Sequence, residues 1–448
     1  NTVSYRDKHI KNTKNMIYKK TLFYICTVKN KQIKLLHFYR DIHFNKKCRK
    51  LIKRTNTSVY QKLYTKMYTT MEEKNTLKHI RKSFKENTNI YKEFDWTCKD
   101  PKVDKYFPKS QEFEETLKAI LWKFKAPISF SFAYGSGVFK QEGNNVRVKK
   151  PMIDFIFGVS HAQHWHSLNL SSNKDHYSFL KYFGSYFISY LQKKMGANVY
   201  YNPYVKINDI IIKYGIVTID DLCKELIEWN TLYLSGRMHK PIKILKNEPR
   251  VKIAYITNLI AALRVAMLLL PEKFSEHELY STISKISYTG DIRMRFAENP
   301  YKVESIVNCQ ILDFRQLYFP LINMLPNIQI ISNEQIDERN KILVQDFNPV
   351  SRANMIQHLP KTFKDRLYYI YNQKTKYKKQ NNSNELCENN DFEKMIVKDD
   401  NFHAILIKTI ETTVYWPSIS QSLKGILSGG IYKSWNYLIE KMHKKCKH

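Results

Sequence analysis

Apolar positions recur along this chain with two periods, and the changes between them mark its elements. In "QEFEETLKAILWKF" the positions Phe113, Leu117, Ile120, Leu121 and Phe124 fall on one helical face, and Pro127 is placed to end that helix. "ISFSFAY" then alternates, setting Ile128, Phe130 and Phe132 on one face of a strand. A second strand is expected over "MIDFIFGV", with Ile153, Phe155, Phe157 and Val159 on one side and Asp154 and Ile156 on the other. A helix follows from about Ser178 to Met195. The segments "VYYNPYV" and "IIIKYGIV", separated by "KIND", read as a hairpin, and a helix with acids in its first turn begins near Thr218.

Beyond Pro241 the pattern turns helical, with a long apolar run over Ile253–Leu270 and a shorter helix over Ser275–Ile286. The run "NLIAALRVAMLLLP" reads as too short for a membrane span and carries Arg264. These periods predict an α+β fold in six parts: a basic extension over 1–100, a sheet-bearing domain over 103–241, a helical domain over 242–300, a helical continuation over 301–370, a polar disordered insert over 371–402, and a C-terminal region over 403–448. In that last region Ile431, Trp435, Leu438 and Met442 form an apolar stripe beside Lys433, Lys441, Lys444 and Lys445. Such a basic amphipathic helix suits an anionic membrane surface, or else a core-docked end of the chain.

Charge sharpens this picture. Seventy-four Lys and Arg against 41 Asp and Glu leave a formal charge of +33, which points to a polyanionic partner such as a nucleotide, a nucleic acid or an anionic lipid surface. The first 70 residues hold eighteen of these bases and only two acids, Asp7 and Asp41, which is compatible with an organellar transit segment. The seven cysteines are scattered without a CxxC pair, so neither a zinc ribbon nor a disulfide framework is indicated.

The candidate chemistry lies between the first two strands. Gly135, Ser136 and Gly137 form either an ordinary tight turn or a loop whose amides and hydroxyl receive phosphate oxygens. With Asp154 on the following strand, placed to hold Mg²⁺ against those phosphates, the second reading is favoured. Lys213 is a lone charge in an apolar strand, a costly placement unless it is paired or faces a cleft. Arg237 and Lys240 flank a helix end, where bases serve as caps or as ligands, and Arg293 is a further cation. The histidines of "HAQHWH" lack the spacing of a zinc site.

Several blocks in order, "YGSGVF", "KPMIDFIFGV", "HWHSLNLSSNKDHYSFLK", "IKYGIV", "LYLSGRMHKPIKIL", "YTGDIRMRFAENPYKV" and "SLKGILSGG", resemble the mitochondrial phosphatidate cytidylyltransferases, the translocator assembly and maintenance family. The resemblance covers residues 104–325 and resumes over 412–445. It implies a polymerase-β-like nucleotidyltransferase domain followed by a winged-helix-like helical domain. It also implies CTP and phosphatidate as substrates, Mg²⁺ as cofactor, and a place on the matrix face of the inner membrane. Arg237 and Lys240 would then contact triphosphate or phosphatidate, and no nucleic-acid partner is expected. One departure from the wider superfamily is that Ile156 stands where an Asp-x-Asp pair would place its second carboxylate. Asp291, Glu298, Arg293 and His166 are therefore the candidates for substrate or second-metal contact. Two rival readings are an RNA-directed nucleotidyltransferase or RNA-binding protein and an inactive import assembly factor.

Overall fold

A computed structural model describes residues 109–139, 151–296, 300–325, 327–331, 341–379 and 389–430. The basic extension over 1–100, Glu298, and the stripe of Ile431, Trp435, Leu438 and Met442 lie outside the described residues.

The first helix, α1 (Lys109–Leu121), leads into β1 (Phe130–Tyr134) and β2 (Ile153–Val159). Then come α2 (Ala162–Ser172), two short 3-10 turns, α3 (Gly184–Lys194), β3 (Tyr200–Ile207), β4 (Ile210–Thr218), α4 (Ile219–Glu228), α5 (Leu234–Arg237) and β5 (Lys243–Lys246). The five strands form one mixed sheet in the order β3-β4-β2-β1-β5. β2 runs antiparallel to β1 and parallel to β4. The fold is thus mixed α and β, as expected.

Alternation in "MIDFIFGV" is observed with both faces covered. Ile153, Phe155, Phe157 and Val159 pack with Leu117 and Ile120 of α1 and with Trp165 of α2. Ile156 points the other way, into the main core with Phe130 and Phe132. Asp154 is the one charged residue in a strand otherwise apolar on both sides. The hairpin turns at Asn208 and Asp209, whose φ values of 47° and 60° match the left-handed pair of a type I′ turn. Thr218 caps α4, accepting from the Asp221 amide at 3.1 Å.

The remainder comprises α6 (Pro249–Leu269), β6 (Lys273–Ser275), α7 (Glu276–Ile286), α8 (Ile292–Phe296), α9 (Lys302–Ile322), β7 (Ile328–Ile331), β8 (Ile342–Gln345), α10 (Pro349–Gln357), α11 (Lys361–Lys379), α12 (Asn389–Lys398) and α13 (Phe402–Gly429). A second, three-stranded sheet is ordered β6-β8-β7. At 21 residues α6 is long and apolar enough to cross a membrane, contrary to the expectation from its apolar run. It is instead the central core helix, burying Val251, Leu259, Ile260 and Leu263, and Trp229 donates to Asn258 on it at 2.8 Å.

Several boundaries move. α1 ends at Leu121, before Pro127, because the amides of Lys123 and Phe124 close turns on the carbonyls of Ile120 and Leu121. Phe113 is exposed. The helix expected from Ser178 begins as a 3-10 turn, and α3 starts only at Gly184, where φ is +78°. The sheet runs past 241, since β5 pairs with β1. The continuation over 301–370 contains β7 and β8 as well as helices.

Where 371–402 is described, at 371–379 and 389–402, the expected disorder gives way to helix. α11 carries on to Lys379, α12 occupies Asn389–Lys398, and Tyr371 and Ile396 lie in the main core. Tyr368 donates to Glu393 at 2.6 Å and its ring meets Phe392 edge-on. Deleting 371–402 is therefore expected to destabilise the protein by about 3–5 kcal/mol or more, as loss of large buried side chains does. Thermal unfolding measures this, and an unchanged midpoint would return the segment to the status of a linker.

Candidate functional site

β1 ends at Tyr134, which pairs across the sheet with Asp154. The next residue, Gly135, has φ +82°, and a Cβ there would lie 3.3 Å from Asp154 Oδ2. Its carbonyl accepts the amides of Val138 and Phe139 at 3.0 Å each, which curls the loop back on itself. A Cβ on Gly137 would sit 2.6 Å from the Met152 carbonyl oxygen. Both glycines are thus explained: one by its left-handed backbone, the other by contact with the start of β2. Ser136 sits between them, partly exposed, and the loop lies directly against the carboxylate.

Cations converge on this point. Parallel register places Lys213 of β4 beside Asp154, with Nζ 3.6 Å from Oδ1 and 4.6 Å from the centre of the Tyr201 ring. Arg237, at the end of α5, lies between the rings of Tyr134 and Tyr233, its guanidinium carbon 4.9 and 4.8 Å from their centres. It donates from Nη2 to the Tyr233 hydroxyl at 3.1 Å, while its buried Nε has no hydrogen-bond partner. A buried guanidinium donor without a partner is unusual among the described residues and carries a desolvation cost.

Arg293 also reaches Tyr233, at 5.8 Å from the ring centre. Asp291 fixes it there, accepting from Nε at 3.0 and 3.1 Å and from the Arg293 amide at 3.0 Å. Burial pushes the Asp291 carboxyl up, but these contacts outweigh it and hold the group below the usual carboxylate range. Asp291, a candidate for substrate or second-metal contact, is thus the orienting partner of Arg293 in this structure.

Lys240 donates to the Gly236 carbonyl at 2.6 Å and the Ser287 hydroxyl at 2.7 Å, tying α5 to the end of α7. Burial and the neighbouring Arg237 and Lys302 depress its pKa strongly. Its geometry is that of a cap which holds Arg237 in place.

His166 belongs elsewhere. It is fully buried, with Nδ1 2.9 Å from the Tyr177 hydroxyl and Nε2 2.9 Å from Gln192 Oε1. Burial lowers its pKa to about 4, so it is a neutral interior link between α2 and α3. Both ring nitrogens of His166, a candidate for substrate or second-metal contact, are thus already partnered within the protein. Among the described residues no three His, Cys, Asp or Glu side chains gather as a metal cage.

A family model described as "Phosphatidate cytidylyltransferase, mitochondrial" matches residues 117–444. The chain belongs to the mitochondrial phosphatidate cytidylyltransferase family. It is 38% identical over 343 residues to the protein of that name from Schizosaccharomyces pombe, covering 75% of this chain and 84% of the relative. The Xenopus laevis protein of the same name is 36% identical over 334 residues, 73% of this chain and 94% of the relative. The Saccharomyces cerevisiae protein is 45% identical over 216 residues, 47% of this chain and 56% of the relative. The bounds of the family match enclose 371–402, the segment whose composition concealed the helices at its two ends.

Three tyrosines packed against Lys213 and Arg237 went unread in the sequence of this cytidylyltransferase-family chain: Tyr134, Tyr201 and Tyr233. Among 31 tyrosines their composition carries no signal. For Tyr134 a signal existed, since it continues the alternation of Phe130 and Phe132 up to the glycine loop. Burial raises the Tyr233 pKa, but Arg237, Arg293 and Lys213 outweigh it and bring the phenol down to about 8.

Proposed function

We propose that this chain transfers the cytidylyl group of CTP to phosphatidate, giving CDP-diacylglycerol and pyrophosphate, for cardiolipin and phosphatidylglycerol synthesis at the matrix face of the mitochondrial inner membrane. The family match supports the activity. The observation that carries the site is the Gly135–Gly137 loop packed on Asp154, with Lys213, Arg237 and Arg293 gathered about the same tyrosines. We read the five-stranded sheet as a polymerase-β-like nucleotidyltransferase core. Its support is a loop after one strand and an acid on the antiparallel neighbour. We read α6, α7 and the three-stranded sheet as the winged-helix-like part.

In this reading a phosphate oxygen of phosphatidate attacks the α-phosphorus of CTP. The new P–O bond forms as the bond to the bridging oxygen breaks, and pyrophosphate leaves with that electron pair. The attacking oxygen is already ionised, so no strong general base is required. Ser136 and the loop amides orient the triphosphate, while Arg237 and Arg293 face the negative charge spread over it. Lys213 keeps Asp154 in place from the next strand. Asp154 is a single carboxylate beside a phosphate-type loop, a donor set that fits Mg²⁺, which takes one or two carboxylates plus substrate phosphates and keeps its waters. Held there, Mg²⁺ would supply neutralisation of charge on the phosphoryl oxygens.

The deciding assay offers labelled CTP and Mg²⁺ with either phosphatidate or RNA. Lipid-soluble label is expected; label in RNA, or in neither, overturns the proposal.

Tyr233 gives the reaction a pH signature. Above about pH 8 the phenol ionises, and a phenolate between Arg237 and Arg293 cancels cationic charge that CTP needs. The KM for CTP is expected to rise several-fold between about pH 7 and pH 9 and to stay flat in Tyr233→Phe. Parallel profiles in the two enzymes would remove Tyr233 from nucleotide binding.

A further inference from the structure

The C-terminal half of α13 has its polarity turned inside out. Gln421, Lys424 and Ser428 are buried, whereas Trp416, Leu423, Ile426 and Leu427 are exposed, at the three- and four-residue spacing of one outward face. Gln421 and Lys424 are engaged with the end of α3 and the entry to β3, while Ser428 bonds back to the Gly425 carbonyl of its own helix at 3.3 Å. Gln421 accepts from the Ala197 amide at 3.1 Å and donates to the Val199 carbonyl at 3.3 Å, and Lys424 donates to the carbonyls of Gln192 and Met195. The hydroxyls of Ser418 and Ser422 bond back to carbonyls of their own helix at 2.7 Å. Water alone would sort these side chains the other way.

The neighbouring element repeats the pattern. From the 3-10 turn through α3, Phe179, Tyr182, Phe183, Tyr186, Phe187 and Tyr190 are all exposed, Tyr182 by 76% and Tyr186 by 70%. Phe183 meets Phe187 along the row with its ring tilted by 37°, at 5.1 Å between ring centres. Ser178 donates to the Leu427 carbonyl at 2.9 Å, so the two rows belong to touching elements. No acid occurs in 178–196 or 412–430, while Lys181, Lys193 and Lys194 border the aromatic row.

We propose that these two rows form a surface that inserts into the interface of an anionic phospholipid bilayer. Amphipathic rings at headgroup depth, aliphatic tips below them and lysines at the border are the composition such an interface takes. The absence of acid matches a negative leaflet. The choice of a bilayer over a second protein copy rests on the function proposed above, whose substrate is an anionic two-chain lipid. Its residues precede the stripe at Ile431–Met442 in the chain.

Flotation of the full chain with phosphatidylcholine vesicles, with and without phosphatidylglycerol, tests this. The native protein is expected to float with the anionic vesicles, and Tyr186→Glu combined with Leu423→Glu to reduce its partitioning by roughly a hundredfold. Turnover of detergent-dispersed phosphatidate should stay within about twofold of native. Undiminished flotation of the variant overturns the surface, and so does a change from dimer to monomer with flotation intact. If flotation is lost as expected while neither protein consumes CTP with dispersed phosphatidate, the surface stands and the enzymatic reading fails. Should the glutamates unfold the chain, fluorescence decides instead. Lipids brominated in their acyl chains are expected to quench a fraction of the native emission that Trp416→Phe lacks; identical quenching overturns the proposal.

Discussion

Asp154→Asn is expected to lower turnover at saturating CTP by about a thousandfold or more, with the thermal midpoint within a few degrees of native. The substitution keeps the shape of the side chain and removes only its charge. Among the described residues that charge has one ion-pair partner, Lys213 at 3.6 Å, and a partly exposed position, so little stability depends on it. In the proposed reaction it is the single acid the described loop touches, which is why the expected losses are so unequal. Initial rates and circular dichroism on the same preparation check it. A folded D154N enzyme turning over at the native rate would sink the assignment.

Arg237→Lys is expected to reduce kcat/KM by about a hundredfold or more, although charge is retained. The guanidinium is planar, lies between the Tyr134 and Tyr233 rings, and presents its unpartnered Nε. An ammonium is a compact point charge that cannot fill the same slot or present donors in the same plane. Lysine is the informative choice, because alanine would also leave a void between two rings and confuse a folding defect with a chemical one. A fall in kcat matching the fall in kcat/KM places the contact in the transition state. A rise in KM alone assigns it to ground-state binding of CTP.

Much of this was legible because local chemistry matches the fold. The strand over Ile153–Val159 could be read from alternation, and Asp154 stood out as an acid in an apolar run. Lys213 was legible for the same reason, and register then placed it beside Asp154. Thr218 announced α4 because a capping hydroxyl precedes two acids. Other features needed the third dimension. A base at a helix end looks the same whether it caps or binds, so Lys240 and Arg237 could not be told apart before their partners were seen. Asp291 looked free because its bond to Arg293 depends on side-chain direction. Ile396 was hidden because single apolar residues spaced along a Lys- and Asn-rich run bury deeply only if another helix meets them.

The main core has a consequence for how the molecule responds to its substrates. One continuous apolar cluster runs from Phe132 and Ile156 under the sheet, through Leu259 of α6 and Phe314 of α9, to Ile356, Leu367, Ile396 and Leu406. No break in it separates the strand that carries Asp154 from the helices that follow. The described parts are therefore expected to unfold as one cooperative unit, with calorimetric and circular-dichroism transitions coinciding. Occupancy of the site at a hundred times the dissociation constant adds about 2.7 kcal/mol to the whole of that unit, by mass action alone. Substrate supply thereby raises the stability of the folded chain as well as its rate of turnover.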